Sequence, residues 1–98
     1  MTQFSVYRFP NGSLALDLQS NSCRSGQHVV APLVSLDEGE PALTKIDVAL
    51  SIDGTDYVAR VGQLLAVSEG LLPSTPLQDA SDKDYEIRKA LDFLFSGI

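Results

Sequence analysis

The sequence predicts a mainly β fold, a small antiparallel barrel or twisted sheet, with one C-terminal α-helix. Three observations lead there: short segments whose apolar residues alternate, tight-turn residues between them, and one helical periodicity near the end. A length of 98 residues suits a single domain, 1–98, with a modest core and with any large site shared between subunits.

"FSVYRF" and "LALDLQS" flank Pro10, Asn11, Gly12 and Ser13, so residues 4–19 read as a hairpin. In its second strand Leu14, Leu16 and Leu18 alternate with Ala15, Asp17 and Gln19, which assigns one face to the core. A polar loop, "NSCRSGQ", leads to "VVAPLVSL", apolar on both faces and expected to be buried on both. Pro32 cannot donate a ladder bond and predicts a bulge or an edge there. "DEGEPALTK" reads as a solvated connection. In "KIDVALSIDGTDYVARV" the residues Ile46, Val48, Leu50 and Ile52 alternate up to Asp53-Gly54, a strong signal for a type I′ hairpin. "QLLAVS" reads as one more strand, and residues 69–80, with Gly70, Pro73 and Pro76, as loop.

The terminal helix is expected from about Asp82. Ser81 with Asp84 resembles a capping box, and Asp82, Asp84 and Glu86 suit the positive end of the helix dipole. Ile87, Ala90, Leu91, Leu94 and Ile98 form one apolar stripe. At about 100° per residue Phe93 and Phe95 fall on opposite flanks of that stripe and widen it to roughly 200°, more than docking on one sheet requires. The excess is expected to face another chain, while Arg88, Lys89, Asp92 and Ser96 hold the polar face.

Composition narrows the function. The 44% hydrophobic content is that of a folded globular protein. With 7 Lys+Arg against 13 Asp+Glu the net charge is -6, which disfavours a sequence-independent grip on nucleic acid and makes a protein the better default partner. No basic stretch precedes an apolar segment at the start, and the longest apolar run, "VVAPLV", is far too short to span a bilayer; a cytoplasmic protein with no membrane contact is expected. Cys23, the only cysteine, excludes an internal disulfide.

Catalytic patterns are absent. Cys23 and His28 could be imagined as nucleophile and base, but no orienting group or oxyanion donor is indicated, so they read as a loop thiol and an exposed or partly buried histidine. Asp37, Glu38 and Glu40 lack the ligand spacing of a calcium loop, and turn chemistry accounts for Asp53 and Asp56. Neither a phosphate loop, nor a nucleophile elbow, nor a paired-cysteine zinc pattern occurs. No metal, cofactor or enzyme activity is expected.

"QFSVYRF" at residues 3–9, "DLQS" at 17–20, "VVAPL" at 29–33 and "IRKALDFLFSGI" at 87–98 together resemble the CcdB toxins of bacterial toxin–antitoxin pairs, in order and spacing, over nearly the whole chain. The resemblance implies an SH3-like barrel with a C-terminal helix, assembled as a homodimer, with Phe93, Leu94 and Phe95 at the dimer interface. It also implies a toxin without chemistry of its own, which inserts into the A subunit of DNA gyrase and holds the enzyme on cleaved DNA. Its contact residues would be Asp92, Phe95, Ser96, Gly97 and Ile98 at the helix end, with Ser22 and Cys23 in the loop after "DLQS". A CcdA-like antitoxin would neutralise it, and operator DNA would be met only through the toxin–antitoxin complex. The chain departs from the pattern at Ser96, where the well-studied toxins carry a tryptophan, and in the loop, where those toxins offer apolar contacts. The departures motivate an alternative, a homologue that has lost gyrase poisoning and keeps antitoxin binding and operon repression. A more distant alternative is a MazF-like ribonuclease toxin, which shares the fold and for which Arg24, His28 and Arg60 are the only imaginable parts.

Overall fold

The computed structural model describes residues 3–20, 26–36, 45–73 and 75–97. Among the described residues, seven strands and one α-helix follow in the order β1 (Ser5–Arg8), β2 (Leu14–Asp17), β3 (Gln27–Ser35), β4 (Asp47–Ile52), β5 (Thr55–Arg60), β6 (Leu65–Ser68), β7 (Gln78–Asp79) and α1 (Asp84–Ser96). They build one antiparallel sheet with the path β4-β5-β3-β2-β1-β7, and β6 adds to β3 beside β5. The sheet curls into a half-barrel, whose two ends are bridged where Gln78 Nε2 of β7 donates to the Ser51 carbonyl of β4 at 2.9 Å.

Both predicted hairpins form. β1 and β2 pair with Val6 opposite Leu16, and Asn11 Oδ1 accepts from the Ser13 backbone N–H at 3.0 Å to shape the turn. β4 and β5 meet around Asp53 and Gly54, whose φ angles of 50° and 81° are the two positive values a type I′ turn requires. "QLLAVS" forms β6, preceded by a 3₁₀ turn at Val61–Gln63.

Pro32 lies inside β3, neither at an edge of the sheet nor at the end of the strand. The Leu18 N–H donates to the Val29 carbonyl at 2.9 Å, so odd-numbered residues of β3 bond to β2 and Pro32 faces the other side. On that side β3 pairs with β6 through Gln27 to Val30 and with β5 from Leu33 onward. The missing N–H therefore falls at the change of partner, where it costs no ladder bond.

The core lies between the concave sheet face and α1, with Val6, Leu16, Ala31, Val48, Val61, Ile87 and Ala90 nearly inaccessible and Leu91 and Leu94 half-buried against them. β2 is more buried than its alternation predicts, because it runs between β1 and β3 and its second face is covered too: Ala15 and Asp17 are as inaccessible as the leucines. In the segment read as loop, Gln78 and Asp79 add a short strand against Ser5 and Val6 of β1. The capping box does not form. Ser81 turns back to Asp79, its N–H and Oγ donating to the carboxylate at 3.0 and 2.9 Å, and Asp84 takes Arg88 instead. A 3₁₀ turn at Ser81–Lys83 then leads into α1 without a side-chain cap.

Candidate functional site

At the helix end an aromatic side chain, Phe95, is exposed. α1 closes at Gly97, whose left-handed φ of 73° costs glycine nothing and whose N–H donates to the Phe93 carbonyl at 2.9 Å. Ile87, Ala90, Leu91 and Leu94 turn inward, so Phe95, two positions before the cap, stands out with 73% of its surface exposed. Asp92 and Ser96, one turn apart, lie exposed beside it.

The opposite flank is closed differently. Phe93 is half-buried in the wall of a cavity of about 400 Å³, shared with Lys45, Asp47, Tyr85, Glu86, Lys89 and Ala90. Lys45 Nζ lies 5.2 Å from the Phe93 ring centroid and Lys89 Nζ 5.9 Å from that of Tyr85, cation–π geometry in both cases. At the base of this region Arg60 Nη1 meets Asp47 Oδ2 at 2.8 Å, with the two side chains only 11% and 4% exposed.

A third cluster lies across the sheet where β2, β3 and the 3₁₀ turn Glu69–Leu71 meet. Asp17 is 0% exposed and His28 8% exposed. Asp17 Oδ2 faces His28 Nδ1 at 3.5 Å, the outer limit of hydrogen-bond distance, and neither atom has another partner among the described residues. His28 Nε2 lies 3.6 Å from Glu69 Oε1. Burial pushes the Asp17 carboxyl above its usual range, while the Gln19 backbone N–H and His28 pull it back. The sequence reading missed this cluster, and its signal was Asp17 itself, an acid between two leucines of a strand.

Placed together, the half-barrel, the helix packed across it and the exposed helix end fit one family pattern, and the chain matches the family model for the CcdB protein over residues 3–97. The chain belongs to the CcdB family. No curated protein matches it. Among solved structures it is similar to an endoribonuclease in complex with its cognate antitoxin from a mycobacterial species, with TM-score 0.75, 18% identity, and coverage of 96% of this chain and 93% of that one. A second mycobacterial endoribonuclease has TM-score 0.75 at 17% identity, with coverage of 96% and 89%. At such identities the likeness is one of fold.

Of the residues the CcdB resemblance singles out, Asp92, Phe95, Ser96 and Gly97 are brought together, exposed, at the helix end. Ser22, Cys23, Arg24 and Ile98 lie outside the described residues, as do Asp37, Glu38 and Glu40. Of the three residues expected at a dimer seam, Leu94 is half-buried against its own core and Phe93 lines the cavity, which leaves Phe95 as the side chain free to reach a second copy. His28, expected to be exposed or partly buried, is buried beside Asp17. Among the described residues no helix is long and apolar enough to cross a membrane.

Proposed function

We propose that this CcdB-family toxin acts by binding the A subunit of DNA gyrase through its helix end, stabilising the state in which the enzyme holds cleaved DNA. The observation that carries the reading is Phe95, 73% exposed at the helix end while Ile87, Ala90, Leu91 and Leu94 turn toward the core. Aromatic side chains are the usual anchors of protein contacts, and Phe95 stands at the helix end beside the exposed Asp92, Ser96 and Gly97. Two copies side by side, as a homodimer, would present Phe95, Ser96 and Gly97 twice and form a composite knob. Poisoning of this kind is a shift of population toward one state of the gyrase cycle and requires no acid, base or nucleophile of the toxin's own. A CcdA-like antitoxin would withdraw the toxin, and the toxin–antitoxin complex, acting in the cytoplasm, would repress its own operon. The antitoxin in one structural neighbour's complex supports that partner class.

The test is a cleavage assay with purified protein, gyrase, ATP and supercoiled plasmid, quenched with denaturant and protease. Linear DNA is the expected product; undiminished supercoiling without a linear band refutes the reading. Ser96 favours the second reading, a homologue that binds antitoxin and represses its operon without poisoning gyrase, because a serine offers little of the area a buried tryptophan contributes. A Ser96→Trp variant that becomes toxic from a harmless parent supports that second reading. Against a MazF-like ribonuclease stand the pairing of Arg60 with Asp47 and the burial of His28, which leave neither side chain open to a phosphodiester. Intact RNA after incubation with the protein is the expected result.

A further inference from the structure

The Asp17, His28 and Glu69 cluster plays no part in the proposed gyrase contact, yet it places the molecule's only imidazole between two carboxylates from two other elements. We infer that this cluster is a proton-operated clasp: with its full complement of protons His28 ties Asp17 of β2 to Glu69 of the turn after β6, and loss of one proton releases Glu69.

The argument is one of donors and acceptors. An imidazolium has two N–H groups and can serve both carboxylates, whereas a neutral imidazole has one and turns a lone pair toward the other. The two carboxylates are not equivalent. Asp17 is fully inaccessible and has no water to replace a lost partner, while the Glu69 side chain is 62% exposed and can be solvated. The single N–H of the deprotonated ring therefore stays with Asp17, and Glu69 is let go. A proton carried by Asp17 in place of the ring gives the same connectivity, with Asp17 donating to Nδ1 and Nε2–H donating to Glu69, so the pair titrates as a unit. Burial raises the titration of the Asp17 carboxyl and the neighbouring His28 opposes that rise. Asp17 and Glu69 are the titratable groups within ion-pair distance of His28 among the described residues.

The position gives the clasp its consequence. Glu69 N–H donates to the Gly26 carbonyl at 3.0 Å, and the Gln19 side chain bonds the backbone of Gln27 and Val29 at 2.9 and 3.2 Å. Gly26, just before β3, is thus tied to the turn that carries Glu69, and Gln19 ties β3 to the end of β2. The clasp makes the firmness of the Glu69–Gly26 pairing depend on pH.

The experiment follows the full-length protein by NMR between about pH 5 and 8, where unperturbed imidazoles change charge. The lone histidine yields a single ring signal, and amide exchange reports on Glu69. Protection of the Glu69 amide, corrected for intrinsic exchange, is expected to fall about tenfold as the ring signal passes its midpoint. Glu69→Ala, at an exposed side chain, should keep the fold and lose this pH dependence. Three results overturn the proposal: a ring signal that does not titrate in this range, wild-type protection that stays flat through the titration, or the same fall in Glu69→Ala.

Discussion

Phe93 and Phe95 are separated by one residue of the same helix and reach opposite environments. Phe93 is half-buried, roofed by Lys45 at 5.2 Å from its ring, whereas Phe95 is 73% exposed. Their hydropathy is identical, so the difference arises from what packs beside each flank of α1. The chain entering β4 passes along the Phe93 side and builds a cavity wall of Lys45 and Asp47. An apolar arc wider than a core stripe can thus divide into a part the fold covers itself and a part it leaves exposed.

Substitutions can break or sharpen that contrast, beginning with the stripe between the two flanks. Ile87→Ala, at a fully buried position, should lower stability by about 2–5 kcal/mol in chemical denaturation. Phe95→Ala should leave stability within about 0.5 kcal/mol of wild type, while gyrase affinity falls by about 2 kcal/mol or more in calorimetry. A Phe95→Ala protein that unfolds readily but binds unchanged would invert the assignment of the two flanks. Phe93→Ala should behave in the opposite sense, costing about 1–2 kcal/mol of stability because a half-buried ring and its lysine contact are lost. A smaller effect is expected on the exposed face: Arg88→Gln removes the pair with Asp84, worth about 0.3 kcal/mol and screened by high salt, and the guanidinium over the Phe4 ring at 5.3 Å, worth about 0.5–1 kcal/mol.

Asp17 provides a pH-dependent counterpart on the far side of the sheet. Its folded-state carboxyl titrates above the ordinary value of 3.8, chiefly through burial, so the fold prefers the protonated form. The stability this provides is complete below 3.8 and is lost as pH rises through the raised folded value. Asp17→Asn should remove that part of the profile, so the variant gains on wild type as pH rises across the acidic window and then runs parallel. Urea unfolding at a series of pH values measures it; parallel curves throughout would show that Asp17 does not titrate differently in the folded state.

The hairpins were legible because a turn dipeptide and a two-residue alternation are local signals, and Asp53-Gly54 folded as those signals require. The helix was legible for the same reason, through its apolar periodicity, and it closes at Gly97 in a left-handed cap. The capping box failed because Ser81 had a competing acceptor in Asp79, a choice between two equally short-range bonds that spacing does not rank. β7 was hidden because two residues carry no periodicity, and only the edge of β1 makes them a strand.

The sequence by itself determined the alternating strands, the tight turns, the amphipathic helix and, through four collinear segments, the family, because each depends on residues close together in the chain. Only the tertiary structure decided that Pro32 falls where β3 changes partners, that Phe93 is covered while Phe95 is not, and that Asp17, His28 and Glu69 converge. Those outcomes depend on which distant segments become neighbours. A side chain's hydration, charge state and reach are set by its surroundings in space, and these are formed by strands and turns that lie far apart in the sequence.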